Sequence, residues 1–328
     1  MKALVYTGPR SLDLRDAPDP EPGDAALVRV AHVGICGSDM HAWSGHDDRR
    51  PAPLILGHEA AGEVVRGPGA GTRVTVNPLV TCGACAECRA GRENLCPNRQ
   101  IISMPPREGA FAELLAMPAE NLVAIPDHVP TEKAALAEPI ACGWHGVRLA
   151  RRLLHPPLEE ARCLVLGGGA IGLGAALVLA AEGAREIAVA ETNPERRAIV
   201  AKAGEFRVLD PAEAGASEDC DLVIDGVGLE ATRAAAAAAA RSGGVIVHIG
   251  LGSRAGGLDV RRMTLQEIAF LGAYTYTKAD FRETAQAIFD GRLGALDWPE
   301  IRPLAEGARS FAEIAAGRVA APKIILTP

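Results

Sequence analysis

Aromatic residues are scarce, only 4% of a 328-residue chain, so few rings are available to wall a binding pocket. Trp43, close in sequence to His41 and His46, is the one large ring suited to that place, and a domain-packing role would suit it equally. Long uncharged apolar runs are also missing, which leaves no segment suited to crossing a bilayer. The opening run Met1-Lys2-Ala3-Leu4-Val5-Tyr6 reaches Gly8-Pro9 before it could form a signal-peptide core, so the cytoplasm is the expected compartment. Lysine and arginine number 34 against 41 acidic residues, a formal net charge of -7, and they are not massed in any one stretch. Nucleic acid is therefore not an expected partner. With 48% hydrophobic and 23% charged residues the composition is globular, and the length exceeds one ordinary core and suits two domains.

Cysteine and glycine, by contrast, occur in informative patterns. Cys82, Cys85, Cys88 and Cys96 follow the spacing C-x2-C-x2-C-x7-C. Four thiolates so close together suit a structural zinc whose tetrahedral shell is closed to substrate; two disulfides are the alternative, and would need an oxidising compartment. Gly83, Gly91 and the polar residues between them suit a surface lobe, about residues 80–98, that its metal folds. Cys163 and Cys220 lie in or beside apolar runs and are expected to be plainly buried.

A second group combines different ligand types. Cys36 lies in Gly34-Ile35-Cys36-Gly37-Ser38-Asp39-Met40-His41, and His58 and Glu59 follow Gly57. A thiolate, an imidazole and a carboxylate suit a zinc that keeps a position open for chemistry. Glu138, before Pro139, is a further candidate carboxylate, and Cys142 a further thiol.

Farther on, Leu164-Val165-Leu166-Gly167-Gly168-Gly169-Ala170-Ile171-Gly172 reads as a strand, a glycine turn and a helix start. Gly167, Gly169 and Gly172 meet the needs of a dinucleotide site: a tight turn, close approach to a pyrophosphate, and tight helix packing. Nineteen residues after Gly172 stands Glu191, suited to binding the adenosine ribose and repelling a 2′-phosphate. NAD is expected over NADP, with Arg196 and Arg197 the features that would admit NADP. Gly226-Val227-Gly228 and Ile249-Gly250-Leu251 follow strand-like runs, where ligands or plain turns are both found.

Residues 1 to about 140 read as mostly β with long loops. From Arg162, apolar runs at 164–166, 187–190, 222–224 and 245–249 alternate with helical segments such as 175–181 and 194–203, which implies βαβ units and a parallel sheet. The alanine run 234–240 reads as a helix ending at Gly243-Gly244. Beyond Tyr274 come a helix over 279–290, a proline-containing connection, a helix around 310–316 and a last strand at 323–326.

The order of these motifs resembles the zinc-dependent medium-chain dehydrogenase superfamily, in its sorbitol/polyol and threonine dehydrogenase branch, over almost the whole chain. The resemblance implies an α/β protein with a GroES-like, mostly β catalytic domain (1–142), a Rossmann doubly wound parallel-sheet NAD domain (143–273), and a return to the catalytic domain (274–328). It implies catalytic zinc ligands Cys36, His58 and a carboxylate, Glu59 or Glu138, with Ser38 and His41 carrying the proton to solvent. It also implies an arginine at Arg196 beside the adenosine, and Ile249, Gly250 and Leu251 on the nicotinamide side. Two zinc ions per subunit and NAD are then the expected cofactors. The expected reaction is reversible oxidation of a secondary alcohol, a polyol or sugar alcohol first and a threonine-type amino alcohol second; a cofactor-binding protein without turnover is the contrasting reading. The apolar run 268–276 would be an exposed edge strand, so pairing into a homodimer or homotetramer is expected.

Overall fold

The computed structural model describes residues 1–212 and 219–328. Six parallel strands form one sheet in the spatial order Arg207–Leu209, Glu186–Ala190, Arg162–Leu166, Cys220–Asp225, Ala240–His248, Ala269–Gly272. Numbered along the chain this is 3-2-1-4-5-6, the doubly wound order whose direction reverses between the first and fourth strands. Cys220–Asp225 is buried at every position, as expected of a central parallel strand covered on both faces.

A second, seven-stranded sheet is mainly antiparallel and runs Leu122–Ala124, Arg73–Val76, Glu59–Arg66, Ala26–Gly34, Lys323–Thr327, Pro299–Pro303, with Leu114–Met117 also paired to Ala26–Gly34. A smaller sheet joins Ser11–Asp16, Lys2–Gly8 and Leu54–Ile55. The last strand, Lys323–Thr327, lies directly beside Ala26–Gly34, which brings the end of the chain against the segment leading into Cys36.

Helix Ala137–Ala150 links the two halves. It packs on helix Ala170–Ala181 and on helix Lys278–Phe289, and touches strands of both large sheets. Its contact with Ala170–Ala181 depends on small residues: a Cβ at Gly143 would come within 2.7 Å of the Ala175 Cα. Eleven of its fourteen residues, Glu138 among them, are buried. The helix therefore carries a carboxylate into the interior instead of presenting a polar face to water.

One local expectation is corrected, and three features that the sequence left open or unmarked are resolved. The alanine helix is Glu230–Ala239, and Ala240 already opens the strand Ala240–His248, which contains Gly243 and Gly244. Pairing with Cys220–Asp225 captures those residues, so the glycines do not cap a helix. The proline-containing connection includes the strand Pro299–Pro303, where proline is tolerated at an edge. Arg207–Leu209, unmarked by any long apolar run, completes the parallel sheet as an edge strand. Of the two places open to Trp43, the structure shows the packing one: it is 7% exposed and packs on Phe311, which in turn meets Phe111 edge-on. Each such ring pair adds about 0.5–1.5 kcal/mol beyond the area it buries.

Candidate active site and metal centres

The ligand atoms of Cys36, His58 and Glu59 lie within 4.8 Å of one another. Cys36 stands just before helix Gly37–Trp43, His58 precedes strand Glu59–Arg66, and Glu59 opens that strand. Gly57 between them has φ +90° and lies against the Phe111 ring, so a side chain there would collide with the ring at 2.6 Å. Only glycine satisfies both the backbone angle and the close approach.

Each of these three candidate ligands is held by a neighbour. Asp39, fully buried, accepts hydrogen bonds from the Cys36 and Gly57 backbone N–H groups at 3.0 and 3.2 Å and stands 3.4 Å from His58 Nδ1. Ser103 Oγ lies 3.4 Å from the same nitrogen, and Ser38 Oγ 3.5 Å from Nε2. Burial opposes charge on the imidazole, but the Asp39 carboxylate and the Cys36 sulfur together outweigh it and hold His58 well above its ordinary pKa. A metal binding at His58 must displace that proton. Lys323, also buried, donates from Nζ to Glu59 Oε1 at 2.6 Å and to the Ile35 carbonyl at 2.8 Å. Burial works against its charge, yet Glu59 and Cys36 raise its pKa. Glu59 Oε2, by contrast, is buried without any hydrogen-bond partner. A buried carboxylate oxygen left open beside a thiol and an imidazole is what a divalent zinc would satisfy.

Glu138 is engaged elsewhere. Its Oε1 accepts the Tyr276 hydroxyl at 2.6 Å. Burial is the main influence on it and, with Glu59 adding to it against His58, Tyr276 and Lys323, the pKa is pushed up to about 7. It falls outside the three-ligand group of Cys36, His58 and Glu59.

The second cluster unites Cys82, Cys85, Cys88 and Cys96 within the same limit. The Cys82 and Cys88 sulfurs are 3.9 Å apart, and those of Cys96 and Cys82 3.5 Å. A tetrahedron with zinc–sulfur bonds of about 2.3 Å has edges of about 3.8 Å, whereas a disulfide needs about 2.05 Å. Among the described residues no disulfide joins any of the eight cysteines. Backbone N–H groups of Ala84 and Cys85 are the main cause that brings the exposed Cys82 thiol down to about 6, while burial leads the influences that push Cys88 up to about 12. The donors fit zinc in both clusters.

One cleft reaches the mixed cluster at Cys36, and a second is lined by Ser38, whose Oγ lies 3.5 Å from His58 Nε2. The first, of about 230 Å³, runs from Gly169, Ala170 and Ile171 past Arg196 and Gly226 to Cys36 and Lys323. Here Gly167 has φ +97°, and Gly172 packs so closely on the Gly167 carbonyl that a side chain would not fit. Gly169 precedes helix Ala170–Ala181, whose N-terminus faces the switch point of the parallel sheet. Glu191 accepts the Gly168 and Asn193 backbone N–H groups, each at 2.8 Å. Arg196 donates to the Ala320 and Val319 carbonyls at 3.0 and 2.7 Å. Arg197 pairs with Asp210 at 3.0 Å. The other cleft, of about 490 Å³, is lined by Ser38, His41, His46 and Arg49 on one side and Leu251 to Arg254 on the other. Ile249 and Gly250 both donate their N–H to the Asp225 carbonyl, at 3.0 and 3.1 Å, while Leu251 is 68% exposed at the cleft.

The Alcohol dehydrogenase GroES-like domain family matches residues 22–127, and the Zinc-binding dehydrogenase family residues 170–290. The chain is 34% identical to L-galactonate-5-dehydrogenase of Escherichia coli (strain K12), over 90% of this chain and 89% of that protein. The chain belongs to the zinc-dependent medium-chain alcohol dehydrogenase superfamily. This dehydrogenase is also 34% identical to sorbitol dehydrogenase of Bacillus subtilis (strain 168), over 84% and 82% of the two chains. Its structure aligns with a putative zinc-binding dehydrogenase from Sinorhizobium meliloti 1021 bound to NADP, at TM-score 0.88 and 29% identity, covering 100% and 99%.

Sequence reasoning gave no role to several residues that shape these sites. Lys323 carried no motif and is separated from Glu59 by 264 positions. Asp39 was detectable as an acid three residues into a helix, where it can cap the backbone. Asn94, His145 and Asp280 form a buried chain: His145 Nδ1 lies 2.8 Å from Asp280, and Asn94 reaches His145 at 3.5 Å and donates to the Tyr274 carbonyl at 2.8 Å. Nothing in their spacing predicted it. Of the histidines without a motif, His32 bonds Thr131 and His128 approaches the Phe289 carbonyl, while His46 borders the larger cleft.

Proposed function

We propose that this dehydrogenase reversibly oxidises a secondary alcohol of a polyhydroxy compound to a ketone, using NAD, with Cys36, His58 and Glu59 holding the reactive zinc and Cys82, Cys85, Cys88 and Cys96 a structural one. The observation that carries the reading is the gathering of Cys36, His58 and a Glu59 carboxylate oxygen within 4.8 Å, with Glu59 Oε2 buried and unpartnered, on the glycine-loop cleft and beside Ser38. When bound, zinc supplies a Lewis acid for the alcohol oxygen and the nicotinamide supplies the hydride acceptor. Ser38, 3.5 Å from His58, takes up the substrate hydroxyl proton. His41, three residues along the same helix and on the cleft wall, passes it to solvent. Lys323 fixes one oxygen of Glu59 and so orients the other. Glu138, held by Tyr276, remains a neighbouring carboxylate that can enter the ligand set.

NAD is favoured over NADP because Glu191 would oppose a 2′-phosphate and both nearby arginines are occupied, Arg196 by backbone carbonyls and Arg197 by Asp210. Arg196 still borders the cofactor cleft, and NADP remains usable. The L-galactonate and sorbitol activities named for the relatives support a polyhydroxy substrate. We divide the chain into a catalytic domain (1–142), a cofactor domain (143–273) and a return segment (274–328). Association into a homodimer or homotetramer through the edge strand Ala269–Gly272 and a cytoplasmic location complete the reading. Among the described residues no helix is long and apolar enough to cross a membrane.

The test is a panel of polyols, sugar acids and L-threonine with NAD, followed by nicotinamide absorbance, on protein assayed for metal. Two zinc ions per chain and turnover of a polyhydroxy compound are expected. Freshly purified active protein with one zinc or none would overturn the ligand assignment, and turnover of threonine alone would favour the amino-alcohol reading.

A further inference from the structure

The charges along the larger cleft are not equivalent. Arg49 donates from Nε and a terminal nitrogen to the two oxygens of Asp47, at 2.8 and 2.9 Å. The same carboxylate accepts the buried Arg50 at 2.5 Å. This trio is internally paired, and Asp48 beside it offsets its remaining positive charge. Arg254, on the opposite wall, is exposed, and no described residue gives it a hydrogen bond or an ion pair.

Its backbone is nevertheless fixed. The buried Arg233 donates to the carbonyls of Ser253, Ala255 and Gly256 and to Ser253 Oγ, and so grips the residue before Arg254 and the two after it. Arg233 also holds the Gly228 carbonyl, and Ser253 donates its N–H to the same carbonyl at 2.9 Å. Arg233 fixes the main chain on both sides of Arg254, so the root of an unpaired cation is held on the wall of a cleft that Ser38 also lines.

We infer that Arg254 is a specificity residue that binds a terminal anionic group, a carboxylate or a phosphate, on the polyhydroxy substrate. The inference rests on the reading that the Cys36, His58 and Glu59 site oxidises such a compound. A guanidinium fork pairs with two oxygens of either anion at once, and a neutral terminal hydroxyl offers it only one. The group bound lies at the outer end of the substrate, remote from the carbon being oxidised, so its contribution is made equally before and during reaction and is read mainly in KM.

The experiment uses the zinc-loaded enzyme with NAD and matched sets of hexitol, hexonate and hexitol 1-phosphate of several configurations, with kcat and KM measured separately. At least one anionic member is expected to exceed its own hexitol in kcat/KM by about tenfold or more, and whether the carboxylate or the phosphate does so identifies the anion. Arg254→Gln is expected to remove that ratio by raising KM for the anionic substrate, and Arg254→Lys, which keeps the charge without the fork, to retain part of it. Hexitols turned over as well as their anionic partners would overturn this inference while leaving the parent reading intact. A ratio unchanged in Arg254→Gln would overturn it too. No turnover of any polyhydroxy compound would overturn both.

Discussion

The two cysteine-bearing clusters solve different problems. In the lobe, four like ligands come from fifteen consecutive residues, and Cys82 is exposed. At the other site, three unlike ligands come from two chain segments and are buried or half-buried, and each has a protein group positioning it. Asp39 sits against His58, Lys323 grips Glu59, and the Cys36 backbone is tied to Asp39. A local cluster has little else to fold it and depends on its metal. A distributed one is assembled by the surrounding sheets before the metal arrives, so its geometry can be kept open for chemistry.

The most severe test of that contrast exchanges the effects of losing one thiol. Cys36→Ser is expected to leave the melting temperature within about 2 °C of the parent, because the sheets hold the site, while kcat falls by on the order of a thousandfold as several kcal/mol of electrostatic stabilisation are lost. Cys96→Ser is expected to lower the melting temperature by about 5 °C or more, with kcat in the surviving folded fraction reduced far less. Calorimetry and steady-state kinetics on both proteins decide it. Melting of the Cys36 variant, or an inactive Cys96 variant with its stability intact, would break the distinction.

The same contrast explains what was legible in the sequence. The four-cysteine lobe and the Gly167 to Gly172 turn announce themselves because all their parts are adjacent, and spacing alone encodes the geometry. Cys36, His58 and Glu59 were legible because unusual residue types fall in short glycine-flanked motifs. Lys323 and the Asn94, His145 and Asp280 chain were not, since their partners meet only through sheet pairing and helix packing. Arg207–Leu209 escaped notice for a related reason: three residues, one of them charged, become a strand only because Glu186–Ala190 offers an edge. Gly243 and Gly244 misled because helix stop signals and strand interiors look alike when a strand follows without a loop.

A smaller effect is expected at the cofactor cleft. Glu191 faces two backbone N–H groups in this structure and would lie near the 2′-position of a bound adenosine ribose. Glu191 is buried, and removing its charge relieves a repulsion of about 1 kcal/mol or more, so Glu191→Gln should narrow the NAD to NADP ratio of kcat/KM by about fivefold or more. Gln is preferred to Ala here because it keeps an acceptor for one of the Gly168 and Asn193 donors, which bond to different oxygens of Glu191, whereas Ala would strand both, at about 1–3 kcal/mol for each that is left unpaired. A parent enzyme that prefers NADP would show that Arg196 and Arg197 outweigh the carboxylate despite their existing partners.

The least effect is expected where the closed lobe meets the rest of the protein. Asn94 lies within the lobe, two residues before Cys96, yet its amide donates to the Tyr274 carbonyl, and Arg99 stacks over the Tyr274 ring at 4.9 Å. This docking uses the Asn94 amide and the Arg99 guanidinium and none of the four thiols, though Arg99 also donates to the Cys96 carbonyl at 2.9 Å. Asn94→Ala should therefore leave two zinc ions bound, lower the melting temperature by a few degrees, as the loss of a buried hydrogen bond of about 1–3 kcal/mol implies, and change kcat/KM by less than about threefold. Combined with Arg99→Ala the loss should differ from the sum of the single changes, since both contact the same tyrosine. Loss of the lobe's zinc from Asn94→Ala would mean that docking and metal binding are one event, and that the lobe is not an independently metal-folded unit.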